Sequence, residues 1–146
     1  MATGRIRVRG SDAFADTITE ARKRADAAGL EIAYEARPVQ ELAPPKDSAE
    51  LVVCCEVLEH LEDPDGALEK LAALADPWLI ASVPREPIWR AMNLARLKYV
   101  TDLGNTPGHI QHWGRRQLRR LVSEFVEVVE ERTPLPWTIL LGRPRS

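Results

Sequence analysis

Three groups of side chains in this sequence could move protons, hold ions or receive a ligand's hydrogen bonds. The first is Glu56, Glu59 and His60, within Glu56-Val57-Leu58-Glu59-His60-Leu61. Two carboxylates and an imidazole at one turn sit where a substrate or cofactor could reach them. A plainer reading of His60 is a helix-like turn with one ring nitrogen hydrogen-bonded to backbone. The second group is His109 and His112, three residues apart and followed by Trp113. Zinc needs three or four protein ligands, and neither cysteine nor carboxylate lies at matching spacing beside this pair, so no metal site is expected. The third is Asp12, which either caps the helix that follows it or accepts hydrogen bonds from a ligand.

The elements that must position these groups follow from periodicity. Residues 51–55, Leu-Val-Val-Cys-Cys, form a short apolar run that predicts a strand buried on both faces. It turns polar at Glu56, and Asp63-Pro64 then gives an N-cap with proline at the first helical position. A buried strand ending in a polar turn is where open α/β sheets place ligands. Upstream, residues 6–10 alternate apolar and basic and predict a strand ending at Gly10. Ser11 and Asp12 are N-cap candidates for a helix whose stripe is Phe14, Ile18, Ala21, Ala25 and Ala28, closed by Gly29. Residues 30–36 alternate again, completing a βαβ unit. Prolines 38, 44 and 45 argue for a loop over 37–50, with one helical turn near residues 39–42.

Downstream, Leu68, Leu71, Ala72 and Ala75 stripe a helix, and residues 78–83 form a strand stopped by Pro84. Glu86-Pro87 opens another helix with Ile88, Ala91, Met92, Ala95 and Tyr99 on one side. Residues 100–113 show no period and read as a loop long enough to have a task. Leu118, Leu121, Val122 and Phe125 mark a last helix; strands follow at 126–132 and 137–141. Arg115, Arg116, Arg119 and Arg120 give that helix a basic, solvated side, and Trp78, Trp89 and Trp137 read as core or interface aromatics.

Composition narrows the function classes. The chain has 146 residues, enough for one domain. Its 20 Lys and Arg against 22 Asp and Glu imply no polyanion partner, so nucleic acid is not expected. The two cysteines, Cys54 and Cys55, are neighbours on a strand and point to opposite faces, which fits free thiols in a reducing compartment. No signal core follows the first residues and no apolar run approaches a membrane span, so a soluble cytoplasmic protein is the expectation.

Glu56 to Leu61, directly after such a strand, resembles the fourth-strand segment of the class I S-adenosylmethionine-dependent methyltransferases. The resemblance covers nearly the whole chain, as strands and helices alternate before a final strand pair joined without a helix. It implies a Rossmann-like α/β fold, with a mostly parallel sheet of about six strands, helices on both faces and an antiparallel C-terminal strand. It implies S-adenosylmethionine as cofactor and methyl transfer to a small-molecule acceptor. Asp12 matches the acidic residue that the family sets against the ribose hydroxyls, and Glu56, Val57 and His60 lie on the cofactor side. His109, His112 and Tyr99 are acceptor-side candidates.

The sequence also departs from the family. Members begin with a strand and a glycine-rich loop, and nothing of that kind precedes Ile6. No two of the eight glycines form a Gly-x-Gly pair. The family often places an Asp against adenine where this chain has Pro38, with Glu41 as the nearest substitute. Cofactor binding is accordingly expected to be weak or absent, and the alternative function is a non-catalytic methyltransferase-like interaction module. Without the central first strand, the favoured sheet pairs the family's second and fourth strands directly, in the order third, second, fourth, fifth, seventh, sixth. Donation of a strand by a second copy, giving a homodimer, is another outcome, as is folding back of the N-terminal residues.

Overall fold

The structure, a computed structural model, describes residues 6–145. The expected lack of a signal core concerns in part residues 1–5, which lie outside that range. The chain divides into two compact units, residues 1–42 and 43–146.

The first unit is a parallel βαβ motif: β1 (Val8–Asp12), α1 (Ala15–Ala27) and β2 (Ile32–Ala36). The strand runs through Gly10 to Asp12 instead of ending at the glycine. Tyr34 explains why, since a Cβ on Gly10 would lie 2.6 Å from its ring. The glycine is there for close approach inside the sheet. α1 buries Ile18 and Ala25, whereas Phe14 and Ala28 of the predicted stripe are exposed. Gly29, at φ 66°, lets the Leu30 N–H turn back to the Ala25 carbonyl at 2.9 Å, and the helix stops there. The expected helical turn follows β2 as a 3-10 turn, Val39–Glu41.

The second unit contains β3 (Ala49–Cys55), α2 (Pro64–Leu74), β4 (Ala75–Pro84), α3 (Ile88–Ala95), α4 (Arg115–Phe125), β5 (Val126–Arg132) and β6 (Trp137–Pro144). Its sheet has the order β3-β4-β6-β5, with β3 parallel to β4 and both partners of β6 antiparallel to it. That order matches the last four strands of the expected series. Leu79, Ala81 and Val83 of β4 stand opposite Gly142, Leu140 and Thr138 of β6 on one face. Leu68 and Leu71 of α2 and Leu118 and Val122 of α4 belong to the same buried core, since both helices pack on this sheet. Each fully buried leucine contributes roughly 1.5–3 kcal/mol.

Three expectations are corrected. The family's second and fourth strands, β1 and β3, do not pair among the described residues: β1 bonds to β2 in a two-stranded sheet, and β3 to β4 in the other. Nor is β3 buried on both faces. Val52 and Cys54 alternate with Leu51 and Val53, which are 47% and 56% exposed. Finally, α3 turns Asn93 inward rather than the predicted stripe. Ala91 and Ala95 are exposed, and Tyr99 lies beyond the end of the helix. Polar partners on the following loop draw Asn93 in.

Among the described residues no helix is long and apolar enough to cross a membrane. The Asp63-Pro64 start is realised as read: Asp63 accepts from the Gly66 N–H at 2.9 Å, with proline in the first turn. A Cβ on Gly66 would press on that carboxylate. Asp63→Ala should therefore lower stability by about 1 kcal/mol in urea unfolding. A loss below about 0.3 kcal/mol would show that the cap is idle.

Candidate functional site

The site in the second unit starts where β3 runs out. The Glu56 N–H continues the ladder, donating to the Ser82 carbonyl of β4 at 3.1 Å. Glu56 then takes φ 57°, a left-handed conformation that costs a residue with a Cβ roughly 1 kcal/mol or more. The chain turns away from the strand at that residue and enters a 3-10 turn, Leu58–His60, whose Leu58 is fully buried. Partial burial pushes the Glu56 carboxyl above its ordinary range, against hydrogen bonds from Trp137 and Ser82 and the charge of His60.

Glu59 comes next and is only 2% exposed. Neither of its carboxylate oxygens has a hydrogen-bond partner among the described residues. Burial drives its pKa up to about 7, its own backbone amide opposing and the Glu56 charge adding. Its backbone does a different job. The Glu59 carbonyl accepts from both Ile110 and Gln111 N–H groups at 3.0 Å, pinning the loop that precedes α4.

That loop supplies the other half of the site. His60 Nδ1 is 2.8 Å from the Gly108 carbonyl and donates to it. This is the backbone hydrogen bond that the plainer reading of His60 expected. Gly108 has φ 87°, a left-handed conformation that favours glycine. His109 is buried, its ring edge-on to His60 with centroids 4.7 Å apart and stacked near Trp89 at 6.2 Å. Burial lowers its pKa, and His60 and His112 lower it further, so His109 is a neutral imidazole near pH 7. Glu59, His60 and His109 each offer one donor atom, and the three atoms lie within 4.8 Å of one another.

α3 holds the loop from behind. Trp89 Nε1 donates to Thr106 Oγ1 at 2.9 Å, and Asn93 Nδ2 donates to the Gly104 carbonyl at 2.9 Å. Gly104, at φ 79°, sits where a Cβ would press on the Arg90 carbonyl. Trp89, read as a core or interface aromatic, thus packs against the cluster, and Asn93 and Thr106 escaped notice. A polar pair at positions 89 and 93, one helical turn apart, was the available signal.

The remaining candidates are scattered. Asp12 ends β1 in the first unit, where its Oδ1 accepts from the Phe14 N–H at 2.8 Å; Phe14 itself is the N-cap position, without a side-chain cap. Ser11 donates to the Arg37 carbonyl instead of capping. His112 is exposed, with Nε2 2.8 Å from Asn105 Oδ1. Tyr99 is exposed at φ 53°. On α4, Arg115 and Arg119 converge on Glu131 of β5, the latter at 2.9 Å. Burial pushes the Glu131 carboxyl up, yet the two arginines outweigh it and hold it below its usual range. Arg116 and Arg120 remain on the solvated side.

Comparison with known proteins gives the fold and site a context. The family described as "Methyltransferase domain" matches residues 9–125. The ubiquinone biosynthesis O-methyltransferase of Bordetella pertussis is 35% identical over 85 residues, 56% of this chain and 35% of that one. Its counterpart in Chelativorans sp. is 27% identical over 141 residues, 92% of this chain and 55% of that one. The chain therefore spans from about a third to about half the length of these relatives. Magnesium protoporphyrin IX methyltransferase from Synechocystis PCC 6803, solved with bound SAH, superposes with a TM-score of 0.70 at 21% identity. That match covers 95% of this chain and 64% of the other, and it concerns the fold.

The state of Glu59 sets a pH dependence. A carboxyl near pKa 4.3 unfolded and about 7 folded binds more protons in the folded state between those values. Stability is therefore present below about pH 4.3 and falls as pH rises towards 7. With a chelator present, Glu59→Gln should remove that loss, gaining on the order of 1–3 kcal/mol over the parent at pH 8 and little at pH 5. Equal effects at both pH values would mean that Glu59 titrates normally.

Proposed function

The chain belongs to the methyltransferase-domain family, and on that premise we propose that it serves S-adenosylmethionine-dependent methyl transfer to a small-molecule acceptor. The observation that carries the reading is the strand exit at Glu56, where a left-handed residue carries an exposed carboxylate at the end of a parallel strand. The relatives named as O-methyltransferases point to a hydroxyl as the acceptor group. We infer that both units belong to one methyltransferase-like domain.

Each unit, taken by itself, carries residues whose chemistry suits the cofactor. Asp12 spends one oxygen on the Phe14 N–H and is only half-buried, so its carboxylate can also accept from neighbouring ribose hydroxyls. Glu56 and Val57, just past the end of β3, are assigned to the cofactor side. His60 shares their turn, though its ring packs with His109. His109, His112 and Tyr99 are assigned to the acceptor side. When bound, the cofactor supplies an activated methyl on a good leaving group. The protein's part is to align the acceptor oxygen, exclude water and receive a proton.

The second reading is an interaction module without catalysis. Calorimetric titration with S-adenosylmethionine separates the two. The first reading expects binding weaker than micromolar, lowered roughly ten- to a hundredfold by Asp12→Ala, the scale of a charge-assisted hydrogen bond of about 1.5–3 kcal/mol. It also expects methyl transfer to small hydroxyl-bearing acceptors. No binding and no methyl transfer at millimolar cofactor would overturn the first reading for this chain, and micromolar affinity would overturn the expectation of weak binding.

A further inference from the structure

Glu59, His60 and His109 form a cluster of their own beside the strand exit, whatever part His60 and His109 take in methyl transfer. We propose that these three side chains form a binding site for a divalent transition-metal ion of the zinc type.

Four observations carry this. The donor set of two imidazoles and one carboxylate is one that zinc accepts, with remaining positions open to water or a ligand oxygen. The three donor atoms already lie within 4.8 Å of one another. Tetrahedral zinc with bonds near 2.1 Å brings donors to roughly 3.3–3.4 Å apart. Side-chain rotations that close the cluster by up to about 1.5 Å would therefore complete the shell. The third observation is the orphaned carboxylate. Both Glu59 oxygens are buried without a hydrogen-bond partner, although buried polar atoms are nearly always paired. A cation supplies what the protein does not.

The fourth is the support around the ligands. A metal-bound histidine usually donates its other ring nitrogen to a carbonyl or carboxylate, which fixes tautomer and orientation. His60 makes that bond to the Gly108 carbonyl. Trp89 stacks near His109 and is itself tied to Thr106, limiting the swing of the imidazole. The ligands come from two segments about 50 residues apart in sequence, already joined through the Glu59 carbonyl and the Ile110 and Gln111 amides. The ion would add a side-chain link to that backbone clamp.

The simpler alternative is that Glu59 is protonated and merely buried. A tag-free full chain, stripped with chelator, would be titrated with Zn2+ against a chromophoric competitor and with Co2+ by visible absorption. The expected result is one ion per chain, a Co2+ spectrum of low-symmetry coordination and a raised Tm. Glu59→Gln, His60→Ala and His109→Ala should each weaken binding at least tenfold, while His112→Ala leaves it unchanged. His60 is exposed, so its replacement keeps the test valid should either buried variant fail to fold. Failure to bind either ion stoichiometrically, or binding indifferent to His60→Ala, would overturn the site. Neither readout involves S-adenosylmethionine, so the methyl-transfer reading stands or falls separately.

Discussion

A buried carboxylate without a hydrogen-bond partner is the constraint on which the second unit's site depends. Glu59 could be relieved by a small rotation towards solvent if its turn were free. It is not free. The peptide of Glu59 is bonded to two consecutive amides of the loop, the turn follows a left-handed Glu56, and Leu58 beside it is locked in the core. Backbone geometry thus holds the side chain in a place its charge disfavours. Such a position persists only where neighbouring structure over-determines it, which is why strain of this kind gathers at functional sites.

The loop is the partner that makes the constraint effective. Residues 100–113 have little regular structure beyond one 3-10 turn, Val100–Asp102, yet they are anchored at both sides. Asn93 and Trp89 hold them to α3, and His60, Glu59 and Leu61 hold them to the turn. Hydrogen bonds to buried donors such as Asn93 matter chiefly because losing one partner leaves the other unsatisfied. Gly104 permits a close approach that a side chain would block, and Gly108 supplies a left-handed φ that side chains disfavour.

Much of this was legible from residue order. The crossover helices, the Asp63-Pro64 start and the closing antiparallel strands follow from local pattern, and the Glu56 to Leu61 segment announced the family. What pattern does not carry is tertiary pairing. The exposure of Leu51 and Val53 depends on which neighbours cover an edge strand, and an apolar run looks the same whether one face or two are buried. Likewise, the stripe assigned to α3 was apolar, and Asn93 went inward because its partners lie eleven and thirteen residues further on. The histidines gave the sharpest lesson. His109 and His112 are near in sequence but do not share a cluster; His109 meets His60 and Glu59 from the other segment.

The alternation along β3 leaves two adjacent cysteines in opposite circumstances. Cys54 is buried, its thiol pushed up to about 12 by burial, with Cys55 and Glu59 adding, whereas Cys55 faces outward. A thiolate is the form that reacts with alkylating and disulfide reagents. The folded chain therefore carries a single natural attachment point for a fluorophore or spin label, one residue before the Glu56 turn. A probe there would report on that turn without any cysteine having to be added or removed.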